Sequence, residues 1–128
     1  MAPVSVRYIV DDVEAAIAFY TGHLGFTVEL HPAPAFAILG RDQLRLLLNA
    51  ADGPGGATQP MSDGRRAEPG GWNRIQISVD DLDDRVAALR AGGATFRNDI
   101  VAGIGGRQIL LDDPAGNPIE LFEPRRDR

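Results

Sequence analysis

One local pattern occurs twice in this chain, and it narrows the fold more than any other feature. Val4 to Val10 alternates like a strand and runs into Asp11-Asp12-Val13-Glu14; Arg74 to Val79 alternates like a strand and runs into Asp80-Asp81-Leu82-Asp83. An acidic pair that ends an alternating run and opens an apolar stripe is a helix start. In the first copy Asp11 is placed to cap and Glu14 to return the bond. Val13, Ile17, Tyr20 and Leu24 then follow at helical spacing, and Gly25 is placed to end the helix. In the second copy Leu82, Val86 and Leu89 make the stripe and Gly92-Gly93 ends it. Such an internal repeat points to two copies of one supersecondary unit.

The strands that complete each unit follow from alternation and turn chemistry. In the first unit they are Phe26 to Leu30, then Phe36 to Leu39 and Leu44 to Leu48 as a hairpin around Gly40-Arg41-Asp42, with Pro32 and Pro34 interrupting the chain before it. In the second unit they lie near Ala94 to Arg97, Ile100 to Ala102, Gln108 to Leu111 and Ile119 to Phe122. The reading is an α+β fold of two β-α-β-β-β units, Val4 to Asn49 and Trp72 to Glu123, with a charged, frayed tail from Glu123 onward. Each unit has one helix to cover one sheet face. Ala50 to Gly71, rich in Gly, Pro and Ala, is either a linker between the units or a lid over a pocket. A chain of 128 residues suits one domain built from two such units.

Strand alternation also sorts side chains by face. Val4, Val6, Tyr8 and Val10 share one side of the first strand; Ser5, Arg7 and Ile9 share the other. Ile75, Ile77 and Val79 lie where the second helix can pack, which leaves Arg74, Gln76 and Ser78 on the uncovered side. The turn Asp112-Asp113-Pro114-Ala115-Gly116-Asn117 feeds the last strand, on which Glu120 looks away from the side that Ile119 and Leu121 bury. Arg74 and Glu120 are expected to meet there as an ion pair.

The run Asp113-Pro114-Ala115-Gly116-Asn117-Pro118-Ile119-Glu120-Leu121, a DP-x-GN-x-IEL pattern, resembles the end of a vicinal-oxygen-chelate domain. That superfamily includes glyoxalase I, extradiol dioxygenases and bleomycin-resistance proteins. With the repeated units, the resemblance spans nearly the whole chain. It implies curled mixed sheets around a cavity, each with a helix on its outer face, the cavity forming within one chain or across a dimer. It also implies a divalent cation in the metal-dependent members, held by His, Glu or Gln in the first and last strands of each unit. Here those places read Ser5, a position near Arg45 by count back from Asn49, Arg74, and Glu120. Of these only Glu120 matches. A guanidinium has no lone pair to give a cation, and a single carboxylate is not a site.

The expected function is therefore a metal-independent small-molecule binding protein like the bleomycin-resistance branch, without cofactor and without catalytic residues. The alternative is a divalent-metal-dependent lyase, isomerase or dioxygenase. The candidate ligand-binding residues are Ser5, Arg7, Phe36, Arg45, Trp72, Arg74, Gln76, Glu120 and Phe122, with Trp72, Phe36 and Phe122 as stacking surfaces. His23 reads as a solvent-facing cation at a helix end and His31 as a strand or loop end. A net charge of -5 argues against nucleic acid and favours a cationic organic guest, while the stacking candidates suit an aromatic one. All thirteen basic residues are Arg, so an Arg here has less diagnostic weight than usual. No apolar run is long enough to span a membrane. The lack of cysteine removes disulfides and thiolate chemistry. A cytoplasmic homodimer is the expected state.

Overall fold

The structure, a computed structural model, describes residues 4–126. The first half runs β1 (Ser5–Val10), α1 (Val13–His23), β2 (Thr27–Ala33), β3 (Phe36–Arg41) and β4 (Leu44–Ala50). The second runs β5 (Ile75–Ser78), α2 (Leu82–Ala91), β6 (Thr95–Phe96), β7 (Val101–Ala102), β8 (Gly106–Asp112) and β9 (Pro118–Pro124). The strands form two mixed sheets, ordered β1-β4-β3-β2 and β5-β9-β8-β6, with β7 also paired to β8. In each sheet the first strand lies parallel to the last: β1 beside β4, and β5 beside β9. The α+β class and the repeated β-α-β-β-β unit are as the sequence led us to expect.

The chain divides into two compact units. One extends to Gly70 and also takes in Pro114–Asn117; the other takes in Gly71–Asp113 and the chain from Pro118 onward. The segment after β4 thus belongs to the first unit, where a short 3-10 turn at Gly56–Thr58 is pinned by Thr58, whose buried hydroxyl donates to the Gly53 carbonyl at 2.9 Å.

In the first unit α1 packs on β2, β3 and β4. The cap is Asp12, one residue later than the sequence suggested: its carboxylate accepts from Ala15 N at 3.2 Å. The buried stripe accordingly shifts to Val13, Ala16, Phe19, Tyr20 and Leu24, with Ile17 only half-buried. Tyr20 is fully buried between the rings of Phe19 and Phe26, with centroids 5.2 and 5.5 Å away. Leu46, Leu48 and Ala50 of β4 meet the helix side, and Ser5, Arg7, Arg45 and Leu47 share the opposite, helix-free face. Pro32 does not interrupt β2, which runs to Ala33. That strand is an edge with two register shifts against β3, a place where a missing N–H costs no ladder bond. The β3–β4 hairpin turns on Asp42 and Gln43, with Asp42 at φ 54°.

In the second unit Asp81 caps α2 by accepting from Asp84 N at 3.2 Å. Leu82, Val86 and Leu89 are all buried, each contributing about 1.5–3 kcal/mol of transfer free energy. Ile75, Ile77, Ile109, Leu111, Ile119 and Leu121 form the apolar side of the sheet, all of them buried. The tail is less frayed than expected. β9 extends through Glu123, whose carboxylate accepts from Leu82 N at 2.9 Å and from Arg107. Residues 127 and 128 lie outside the described range.

Candidate functional site

The helix-free face of the second sheet carries a closed polar cluster. Gln76 on β5 stands opposite Glu120 on β9 in the parallel ladder, and Leu110 on β8 stands opposite Glu120 on the other side. The carboxylate is therefore in the middle of the sheet, and Glu120 is only 7% exposed. Its Oε1 accepts from Arg74 Nε at 3.1 Å and from a terminal Arg74 nitrogen at 2.9 Å. Its Oε2 accepts from Gln76 Nε2 at 2.7 Å. Arg74 also donates to the Trp72 carbonyl at 3.2 Å. So Arg74, Gln76 and Glu120 converge, and Trp72 is tied to them through its backbone.

Trp72 is exposed, not core. Its ring lies under the guanidinium of Arg97, 4.8 Å from ring centroid to Cζ. Arg97 in turn donates from Nε to Asp112 Oδ1 at 2.6 Å and from a terminal nitrogen to the Gly71 carbonyl at 2.8 Å. Phe122 is half-buried opposite Gln108. Arg97 and Asp112 were not among the residues the sequence singled out. The β6–β8 pairing sets Thr95 beside Asp112 and so brings Arg97 close; no local motif announces that.

The other candidates lie in the first unit. Ser5 and Arg7 are exposed on β1, opposite Arg45 and Leu47 on β4. Arg45 meets Glu29 at 3.6 Å, and Glu29 lies over Gly40, where an added methyl would collide with its carboxylate. Phe36 pairs with Asn49, which is buried and whose Oδ1 has no hydrogen-bond donor among the described residues. His23 is half-buried with its ring edge-on to Phe19 at 5.6 Å, and His31 reaches Glu14 at 3.4 Å.

Two surface depressions of the second unit lie elsewhere. One of about 420 Å³ is lined by Arg107, Glu123 and Arg125 among others, and one of about 480 Å³ by Arg90, Phe96 and Asp99 among others. Several of their charges are already paired: Arg107 with Asp83 and Glu123, Arg90 with Asp99. Volume alone does not make them better candidates than the polar cluster.

A family model described as the glyoxalase/bleomycin resistance protein/dioxygenase superfamily matches residues 3–121. The chain belongs to this superfamily. Solved structures agree with the assignment. A superfamily member from Sphaerobacter thermophilus DSM 20745 is 28% identical, with 96% of this chain and 97% of that one covered and a TM-score of 0.73. A lactoylglutathione lyase from Agrobacterium tumefaciens is 21% identical over 94% and 91%, with a TM-score of 0.72. TnmS3, an antibiotic binding protein from Streptomyces sp. CB03234, is 24% identical over 94% and 93%, with a TM-score of 0.70. The last two share the fold. No curated protein matches the sequence.

Arg7 and Gln76 stand at matching distances before the helix caps Asp12 and Asp81. Arg7 is opposite Leu47, and Gln76 is opposite Glu120. The first-unit position equivalent to Glu120 is therefore Leu47, and the count that pointed to Arg45 was two residues off. The places that the resemblance would give to metal ligands hold Ser5, Leu47, Arg74 and Glu120. This donor set does not fit a divalent cation: one member is aliphatic, one is a permanent cation, and the one carboxylate is filled by Arg74 and Gln76. Among the described residues no three His, Cys, Asp or Glu side chains gather so as to hold a metal ion. Nor is any helix long and apolar enough to cross a membrane.

Proposed function

We propose that this superfamily member is a metal-independent small-molecule binding protein of the antibiotic-sequestering kind. The observation that carries the reading is the state of Glu120: both carboxylate oxygens are already engaged by Arg74 and Gln76, at a place that the family resemblance would give to a metal ligand. Arg74, partly exposed, keeps N–H groups beyond those the cluster uses, and these can serve a polar guest while needing no metal. Trp72 adds an exposed aromatic face beside it. Ser5, Arg7, Phe36 and Arg45 form the corresponding polar and aromatic set on the first sheet, and Phe122 extends the second. The antibiotic binding protein TnmS3 shares the fold, so the fold is compatible with this class of function. We further take the protein to be a cytoplasmic homodimer; a monomeric mass by light scattering would count against the dimer.

The test is a thermal-shift screen against a panel of antibiotics, bleomycin included, with a chelator present. A guest that binds only the native state raises stability by about 2.7 kcal/mol at a hundredfold excess over Kd. The expected result is a shift that survives the chelator. A shift that needs added Zn, Ni, Fe or Mn, or no shift with any compound, would refute the reading.

A further inference from the structure

Trp72 has two unlike faces. Arg97 covers one of them, and Arg97 is itself fixed by Asp112 and by the Gly71 carbonyl. The Trp72 backbone is fixed as well, through its carbonyl to Arg74. Yet Trp72 is 69% exposed. Among the described residues no aromatic ring stacks on it, and its indole N–H has no partner. A large ring held this firmly on one side and left open on the other is built to receive something flat.

The covered face decides what that is. A cation is drawn to an indole face by the electron density of the ring. The Arg97 guanidinium already draws that density towards the back face, and it would repel a second positive charge through the ring. The open face is therefore suited to a flat group without positive charge. The net charge of the chain argues the opposite way, since -5 favours a cation at long range. The contact should win, because surface fields are screened within about 8 Å at physiological salt, whereas the Arg97 guanidinium lies 4.8 Å from the ring centroid.

We propose that Trp72 is a one-sided stacking subsite for a planar aromatic group that is neutral or anionic, and that Arg97 sets this preference. The proposal rests on the guest-binding reading above and names the chemistry of its guest. It reverses the cationic guest that composition suggested.

Calorimetric titration of the full chain with two flat probes of similar size, naphthalene-2-carboxylate and N-methylquinolinium, tests it. The carboxylate should bind at least about tenfold more tightly, and its binding should change the emission of Trp72, the only tryptophan in the chain. Arg97→Gln should abolish the difference between the probes. Should that variant fail to fold, Trp72→Leu provides a second check, since it leaves the Arg97–Asp112 pair in place and should weaken the carboxylate about tenfold. Equal or tighter binding of the quinolinium overturns the proposal, as does binding of either probe with no change in Trp72 emission; both outcomes leave the guest-binding reading standing. If neither probe binds while an antibiotic from the panel does, the subsite is refuted and the wider reading survives. If nothing binds, both fall.

Discussion

Arg74 holds Glu120 by a single oxygen. Nε and a terminal nitrogen both converge on Oε1, which leaves Oε2 to Gln76 and the other terminal nitrogen to the Trp72 carbonyl. A two-oxygen fork would have engaged both oxygens with Arg74 alone. The arrangement seen here shares it between β5 and the segment before it, and it links the carboxylate in the sheet to the exposed indole.

Removing Arg74 should therefore hurt more than a surface pair would. Arg74→Ala leaves a carboxylate that is nine-tenths buried with Gln76 as its one remaining partner among the described residues. The expected loss is about 2–4 kcal/mol, read from the denaturation midpoint. The double change Arg74→Met with Glu120→Leu should recover most of it, because no charge is left stranded. A double variant as unstable as the single one would mean that the pair is not what Arg74 contributes.

Asn117 makes a comparable prediction in the first unit. It is 4% exposed; Nδ2 donates to the Ile9 carbonyl at 2.7 Å, and Oδ1 accepts from Gly70 N at 2.8 Å. Asn117→Asp keeps the acceptor, loses the donor and buries a carboxylate against the Ile9 carbonyl, and should cost at least about 1–3 kcal/mol in chemical denaturation at neutral pH. Asn117→Ala should be destabilising as well. A variant with unchanged stability would show that neither bond matters to the fold.

Acid stability should depend on Glu123. The Leu82 backbone N–H, and after it Arg107, hold its carboxyl below the ordinary glutamate range. A depressed folded-state value gives stability that is complete above the unfolded value and is lost as pH falls through the folded one. Glu123→Gln should thus flatten the stability profile below about pH 4.5, the ordinary glutamate value. Asp81 is shifted the same way by the backbone N–H of Asp84, so some acid dependence should persist in the variant. An unaltered profile would contradict the assignment.

Much of this was legible in the chain, for identifiable reasons. Period two and the double-acid helix starts placed both units, and the same alternation put Arg74, Gln76 and Glu120 on one face. What counting alone left open was register: the closing strand of the first unit was matched near Arg45, and ladder pairing points to Leu47, two residues on. Pro32 read as a break because an edge strand tolerates what a central one does not. The Trp72–Arg97–Asp112 cluster could not be read at all, since it depends on antiparallel pairing across the β6–β8 segment.

The most direct measurement is elemental analysis of protein purified without chelator, alongside its Glu120→Gln variant. Substoichiometric Zn, Ni, Fe and Mn in both proteins is the result expected from a carboxylate already satisfied by Arg74 and Gln76. One metal ion per chain that disappears in the variant would contradict the account.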